Sequence, residues 1–119
     1  MPRNSQDYSH KVAIVGASET ETVGKLPDRS MIQLHAEAAM LALADAGLTI
    51  DDVDGVATAG PTPAQLTEYL NIMPRWIDGT SVGGGSFLMH VGHAVAAIEA
   101  GYADVVLVTH GESGRSGVG

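Results

Sequence analysis

The sequence predicts an α/β fold, a mainly parallel sheet flanked by helices. Short apolar segments rich in β-branched residues alternate with segments of helical periodicity, in the order βαβαβαβ. Capping residues separate these segments, and the intervening connections are long enough to join parallel strands. The chain has 119 residues, 45% of them hydrophobic, which fits one modest globular domain. We therefore predict a polar arm over residues 1–10 and one domain over residues 11–119.

The first half of the chain predicts one strand, one helix and one short turn. The nearly continuous apolar run Lys11–Gly16 is typical of a buried strand. Ser30 followed by Gln33 is a capping box that opens a helix, and Gly47 closes it with a left-handed cap. His35 is expected to be a partly exposed residue of this helix. Its apolar positions at helical spacing are Ile32, Ala36, Ala39, Met40 and Leu43.

The second half alternates strands and helices. After a single turn capped by Thr49 and Asp52, we predict a second strand over Gly55–Ala59. The later elements, in chain order, are a helix from Pro63 to about Asn71, a strand over Trp76–Asp78, a helix over Ser86–Ala100 and a strand over Ala103–Thr109.

Charge and cysteine content exclude several kinds of function. Fourteen acidic residues against six scattered basic ones give a formal charge of −8. Nucleic acids and anionic membrane surfaces need clustered Lys and Arg, so neither is an expected partner. Without cysteine the chain forms no disulfide or thiolate metal site. A polar start and the lack of an apolar run near the roughly 20 residues that span a bilayer predict a cytoplasmic protein with no membrane span.

The glycine-rich turn before the third helix is the first candidate site. Ligands of parallel sheets bind beyond the carboxyl ends of the strands, where the loops after Gly16, Ala59, Asp78 and Thr109 should meet. The backbone N–H groups of Gly83, Gly84, Gly85 and Ser86 stand at a helix start and could hold an anion or oxyanion. Alternatively, the glycines only permit a tight strand–helix connection. Ser86 fits a helix N-cap better than a nucleophile, which would need a base within hydrogen-bond reach.

Histidines provide the other candidate groups. His110 and Glu112 follow the last strand and could orient or transfer protons; alternatively, His110 only ends the strand. His90 and His93 share a helix face, but no carboxylate or cysteine stands at a matching position. We therefore expect no metal site, and expect these rings to pack beside the loop edge or at a subunit contact. The Gly16-Ala17-Ser18-Glu19 turn lacks the G-x-G-x-x-G pattern, which disfavours a dinucleotide site.

Several segments in order resemble the thiolase superfamily. They are Val12–Gly16, Gly24-Lys25, Ala44–Leu48, Ile50–Val56, Gly79–Phe87, His90–Ala94 and Ala97–Val105. The likeness covers almost the whole chain from Lys11 and is greatest to the sterol-carrier-protein-type thiolases, often labelled lipid-transfer proteins or acetyl-CoA acetyltransferases. It implies an acyl-CoA substrate, with coenzyme A as part of the substrate and no bound cofactor. It also implies two such halves in the fold, so we expect this chain to be the first part of a longer protein.

The resemblance places the family's nucleophilic cysteine at Gly84, which excludes the usual acyl-cysteine intermediate. A branch without this cysteine is similar to the thiolase-like aldolases of steroid side-chain breakdown. Those enzymes cleave a β-hydroxyacyl-CoA by a retro-aldol step and pair with a small OB-fold, zinc-bearing protein. The family also implies a homodimer formed near Trp76–Thr80. The candidate catalytic residues are therefore Gly84, Ser86, His110 and Glu112, with further acid–base groups in the second half.

Three functional hypotheses follow. The leading one is a thiolase-like enzyme that acts on the carbon–carbon bond next to a CoA thioester by a cysteine-independent retro-aldol or Claisen-type step. The alternative is a non-catalytic assembly subunit or an inactive fragment, which the missing cysteine favours. The third, a nucleotide-binding α/β domain, predicts tight binding of NAD or ATP.

Overall fold

The computed structural model describes residues 11–111; the predicted arm over residues 1–10 and the candidate Glu112 lie outside this range. The described part is an α/β unit, as predicted. Its elements in chain order are α1 (Met31–Ala46), a 3₁₀ turn (Ile50–Asp52), β1 (Gly55–Thr58), α2 (Pro63–Leu70), β2 (Trp76–Asp78), α3 (Ser86–Glu99) and β3 (Val106–Thr109). Within this range no helix is both long enough and apolar enough to cross a membrane.

The three strands form a parallel sheet in the order β2-β1-β3. Gly55 is in register with Trp76 on one side and with Val106 on the other. All four residues of the central strand β1 are buried, as expected for a strand covered on both faces. β3 begins three residues later than predicted. The N–H groups of Asp104 and Val105 donate to the Asp54 carboxylate rather than to a neighbouring strand.

Helices cover both faces of the sheet. The main core joins α1 and α2 to the sheet through Ala39, Leu43, Val53, Val56, Leu66, Ile72 and Leu107. Because side chains alternate along a strand, Ala57 faces away from this core. On that opposite face α3 packs against all three strands, burying its small residues Ala94 and Ala97. The carboxyl ends of the strands and the start of α3 are thereby brought to one edge.

Helix capping agrees with the sequence for α1. Ser30 is the N-cap with a complete capping box to Gln33, and Gly47 is a left-handed C-cap with φ of 73°. The buried face is rotated from the predicted one, because Met40 is half-exposed while Leu34 and His35 are buried. The buried face of α1 therefore includes His35, a polar residue that the apolar pattern did not include.

The predicted first strand, Lys11–Gly16, is wrong for the described structure. These residues have no strand partner within residues 11–111, and Ile14 and Val15 are 79% and 63% exposed. Gly16 instead lies against α1, where a Cβ would stand 2.5 Å from the carbonyl oxygen of Ala42. Ala17 continues this contact by donating its N–H to the carboxylate of Asp45. The loop after Gly16 is consequently absent from the strand-end edge where it was expected.

Candidate functional site

A cavity of about 240 Å³ opens at the carboxyl end of the sheet. Three of the four loops expected there meet around it: those after β1, β2 and β3. The lining residues are Ala59, Gly60, Ser81, Gly83, Gly84, Ser86, Phe87 and His110. This is the edge at which parallel α/β sheets hold their ligands.

The start of α3 forms the floor of this cavity. Gly85, not Ser86, is the N-cap, with φ of −80° and no side chain to cap the helix. Ser86 is the first helical residue, so its interpretation as the N-cap is wrong by one position. A glycine cap leaves the first-turn N–H groups without the side-chain oxygen that usually accepts from them.

Ser86 holds the turn together. Its side chain is buried, and its hydroxyl accepts from the N–H of Val82 at 2.9 Å and donates to the carbonyl of Gly83 at 2.7 Å. Its own N–H also donates to the Gly83 carbonyl, at 3.0 Å. The hydroxyl hydrogen is thus used within the turn, and no base accepts it among residues 11–111. The geometry describes a residue that shapes the glycine turn.

The backbone N–H groups of Gly83, Gly84 and Gly85 donate no hydrogen bond of ordinary geometry within the described chain. All three residues are exposed, and a Cβ built on any of them would meet nothing within 4 Å. An incoming group can therefore approach this backbone closely. The N-terminal end of the α3 dipole adds a positive potential at the same place. Such an arrangement is suited to an oxyanion or another small anion.

His110 stands across the cavity from the glycine turn. Its ring lies 3.9 Å from the ring of Phe87 between centroids, tilted by 50°. The residue is exposed and belongs to the cavity lining. The structure therefore brings together the predicted site residues His110, Gly83, Gly84 and Ser86.

The two histidines of α3 are tied to the segment that follows β2. His90 is buried and donates its Nε2 hydrogen to the carbonyl of Thr80 at 2.8 Å, while Nδ1 has no partner. His93 binds the carboxylate of Asp78 through Nδ1 at 2.6 Å. Residues 11–111 contain no group of three or more side chains placed to hold a metal ion. Both rings thus position the Asp78–Thr80 segment that leads into the glycine turn.

Asp78 is the charged residue of the Asp78–Thr80 segment that His90 and His93 hold. Burial alone would raise the pKa of its carboxyl, but hydrogen bonds from the Thr80 hydroxyl and backbone N–H, together with His93, lower the pKa below 3.8. The carboxylate therefore stays ionised in the folded protein at neutral pH.

His35 is the residue that sequence reasoning missed. It was expected to be partly exposed, yet its relative exposure is 0%. Its Nδ1 lies 2.7 Å from the Thr109 hydroxyl and its Nε2 lies 3.0 Å from the Gly111 carbonyl. Burial lowers its pKa, and the nearby His110 lowers it further, although the bond to Gly111 opposes both. The four-residue spacing of His35 from Ala39 and Leu43 could have predicted its burial, because residues four apart share one face of a helix.

Comparison with known proteins identifies relatives. The chain is 38% identical over 116 residues to 17-hydroxy-3-oxo-4-pregnene-20-carboxyl-CoA lyase of Mycobacterium tuberculosis, covering 92% of the chain and 29% of that protein. It is 36% identical over 110 residues to a steroid side-chain-cleaving aldolase of Thermomonospora curvata, covering 89% of the chain and 28% of the aldolase. No family model matches the sequence.

Solved structures agree. The Ltp2-ChsH2(DUF35) aldolase superposes with a TM-score of 0.71 and 33% identity, over 87% of this chain and 27% of that one. An SCP2-thiolase-like protein of Mycobacterium smegmatis gives a TM-score of 0.65 and 28% identity, over 80% and 22% of the two chains. The chain is a thiolase-fold protein. This thiolase-fold protein has steroid side-chain-cleaving aldolases among its homologues and spans less than a third of their length.

Proposed function

We propose that the chain forms part of a thiolase-like lyase that cleaves a carbon–carbon bond in a β-hydroxyacyl-CoA. The observation that carries this proposal is the glycine turn: Gly83 and Gly84 line the same cavity as His110, and the N–H groups of Gly83, Gly84 and Gly85 donate no hydrogen bond of ordinary geometry within residues 11–111. The homologues are named as a lyase and an aldolase, one of them acting on a steroid carboxyl-CoA. Since Gly84 carries no thiol, the step must proceed without an acyl-cysteine.

A retro-aldol step balances without a covalent enzyme intermediate. A base removes the β-hydroxyl proton, the Cα–Cβ bond breaks, and its electron pair moves into the thioester as an enolate. The glycine amides would stabilise the enolate oxygen, a contact worth about 3 to 4 kcal/mol per donor in other enzymes. A proton delivered to Cα then releases a shorter acyl-CoA, and the β-carbon leaves as a ketone or aldehyde. His110 lines the pocket. Glu112, two residues later and outside the described residues, stays a predicted site residue, and further acid–base groups come from outside residues 11–111.

Coenzyme A enters as part of the substrate. No separate cofactor is needed, because the thioester itself supplies the electron sink for the enolate. Its carbonyl oxygen is the group that we place against the glycine turn.

The proposal includes two protein partners. One is a small OB-fold, zinc-bearing protein, supported by the likeness to an aldolase that is named together with a DUF35 subunit. The other is a second copy of this chain, meeting the first near Trp76–Thr80. Within residues 11–111 β2 is an edge strand, and this position and the 49% exposed side chain of Ile77 support that contact. We place the protein in the cytoplasm.

The alternative function is a non-catalytic assembly subunit. Gly84 at the cysteine position and a Ser86 hydroxyl already bound within the turn leave the turn without a nucleophile. A subunit of this kind would keep the fold and its contact surfaces without turning over substrate.

Product identity tests the proposal. The full-length protein, with any co-encoded partner, is incubated with β-hydroxyacyl-CoA or with β-ketoacyl-CoA plus free CoA, and products are identified by mass spectrometry. We expect the hydroxy substrate alone to yield a shortened acyl-CoA and a carbonyl product. Thiolysis of the keto substrate would contradict the retro-aldol step, and inactivity on both would favour the assembly subunit.

A further inference from the structure

The buried side chain of His35 contacts both neighbours of a site residue. We propose that His35 is a positioning residue, which holds the Thr109–Gly111 segment so that His110 stands against Phe87 at the cavity mouth. The catalytic part of this inference rests on the function proposed above, whereas its structural part does not.

The hydrogen bonds of His35 show which of its two ring nitrogens carries the hydrogen. The Gly111 carbonyl can only accept, so the Nε2 atom of His35, 3.0 Å away, carries a hydrogen. In the neutral ring Nδ1 is then an acceptor, and the Thr109 hydroxyl at 2.7 Å donates to it. The hydroxyls of Thr58 and Thr109 lie 2.8 Å apart and extend this chain to the end of β1. The tautomer with its hydrogen on Nε2 therefore gives each ring nitrogen of His35 a hydrogen-bond partner.

These contacts hold the chain on both sides of His110. Thr109 precedes it and Gly111 follows it, and each is bound to the same ring. The His110 side chain itself makes no hydrogen bond within the described range; its recorded contact is the ring of Phe87. The place of His110 is consequently set through its backbone, which His35 fixes at two points.

Two glycines, Gly60 and Gly111, lie next to the His35 ring. A Cβ on Gly111 would stand 3.1 Å from Cδ2 of His35, and a Cβ on Gly60 would stand 3.8 Å from Nε2. Gly60 belongs to the cavity lining and follows β1. His35 thus lies behind two loops of the site, and its close fit to Gly111 limits how far the loop after β3 can shift.

Two substitutions of His35 distinguish its hydrogen bond to Thr109 from its hydrogen bond to Gly111. In His35→Gln the side-chain amide reaches the position of Nε2 and can still donate to Gly111. In His35→Asn the shorter amide reaches only the position of Nδ1, so the bond to Thr109 remains and the bond to Gly111 is lost. Thr67→Val is the matched control, because it removes another buried hydroxyl, one that donates to the Ala64 carbonyl in α2 away from the site.

Hydrogen exchange measured by mass spectrometry on the full-length protein provides a readout independent of activity. We expect His35→Asn to speed exchange in the peptide that covers Val106–Gly111 at least about 10-fold, because the ladder to β1 protects the β3 amides in the wild type, while His35→Gln and Thr67→Val stay near the wild-type rates. Equal rates in all four proteins, or equal acceleration in Thr67→Val and His35→Asn, would overturn the positioning role. If His35→Asn does not fold, Gly111→Ala breaks the same contact from the loop side and should show the same acceleration.

Kinetic measurements test whether the position of His110 affects catalysis. We expect His35→Asn to lower kcat about 10- to 100-fold with little change in KM, and His35→Gln to restore most of it, because misplacing a reacting group costs rate more than binding. Faster exchange with an unchanged kcat would overturn the catalytic part. A wild-type protein inactive on every acyl-CoA would overturn the proposed function instead, and the exchange comparison would still decide whether His35 holds the segment.

Discussion

Gly85 shows how a single residue can serve a site through its backbone. As the N-cap of α3 it offers no side-chain oxygen, and its N–H donates to no other group within residues 11–111. A serine or aspartate there would satisfy the helix end and compete with an incoming anion. A glycine brings no such competitor to the helix start, and its neighbours Gly84 and Ser86 line the cavity.

Substitution of Gly85 tests whether its amide contributes. At φ of −80° with open space around Cβ, both alanine and proline fit the backbone, but only proline lacks the N–H. We expect Gly85→Pro to lower kcat about 10²- to 10³-fold and Gly85→Ala to stay near wild type. Steady-state kinetics on a β-hydroxyacyl-CoA measure both. A similar loss in the two variants would mean that crowding, not the missing donor, causes the effect.

Asp54 has a structural role at the opposite end of the sheet. Its carboxylate accepts from the N–H groups of Asp104 and Val105 at 2.9 Å each and faces the Arg75 guanidinium at 3.3 Å. Burial would raise its pKa, but the backbone hydrogen bonds and the Arg75 charge lower the pKa below 3.8. A folded-state pKa below the unfolded value means that folding favours the ionised form.

The linkage gives a pH prediction for Asp54. Its stabilisation is fully present above the unfolded pKa and is lost as pH falls through the folded pKa. We expect Asp54→Asn to reduce the free energy of unfolding by about 1 to 2 kcal/mol at pH 7, because a charged acceptor is removed. Urea titrations at several pH values should show this difference persisting down to about pH 5 and shrinking as the pH falls below 3.8, the ordinary pKa of an aspartate, toward the lower folded-state pKa. A difference that is constant down to pH 2 would contradict the ionic origin.

At the scale of elements, α3 contributes to the candidate site in two ways. The glycine turn at its N-terminus carries the amides of the candidate site, while His90 and His93 hold the Asp78–Thr80 segment that precedes this turn. The helix therefore fixes both ends of the loop that carries the candidate site. Its small residues let it lie close to the sheet, since Ala94 and Ala97 are buried there.

Gly92 gives a prediction about the other face of α3. It is an exposed helical glycine whose built Cβ would meet nothing within 4 Å. Alanine should stabilise the helix by about 0.5 to 1 kcal/mol, because glycine loses more backbone entropy on folding. Thermal or urea unfolding of Gly92→Ala measures the change. A destabilised variant would instead indicate that another element packs directly on Gly92.

The incorrect first strand also belongs to the element scale. The run Lys11–Gly16 has the composition of a buried strand, but a strand exists only where a neighbour pairs with its backbone. Within the described range no neighbour does, and Gly16 is held against α1 instead. Composition gave the propensity of the segment and could not supply its partner.

At the scale of the whole molecule, the exposed apolar side chains indicate surfaces that other chains or segments could cover. Ile77 is 49% exposed on the free edge of β2, and Tyr102 is 62% exposed beside it. Together with Trp76 and the end of α3 they line an open groove of about 470 Å³. An unblocked apolar edge strand favours association with a second copy.

Oligomeric state tests this edge. We expect Ile77→Lys to convert a dimer of the protein into a monomer, because one charge per chain would be buried and unpaired at a symmetric contact. Light scattering after size-exclusion chromatography gives the masses. Val23→Lys, which changes a 67% exposed side chain in the loop before α1, is the matched control. A wild-type monomer, or dissociation by both variants, would contradict a contact at β2.

Most elements were predictable because their signals are local. The capping box at Ser30, the left-handed Gly47 and the bounds of β2 followed from adjacent residues, and the structure confirms them. The cavity was predicted from topology, since parallel strands bring the loops after Ala59, Asp78 and Thr109 to one edge. Glu112 lies outside the described residues and stays a prediction.

The sequence by itself determined the alternation of strands and helices, the absence of a thiol and the three glycines before α3, because these depend on residue type and short-range spacing. Only the tertiary structure decided that Lys11–Gly16 leaves the sheet and that His35 binds the residues on both sides of His110. Each of these depends on which distant group lies within hydrogen-bond or van der Waals distance. Such contacts, as between His35 and Gly111, join residues far apart in the chain, and no local pattern encodes them.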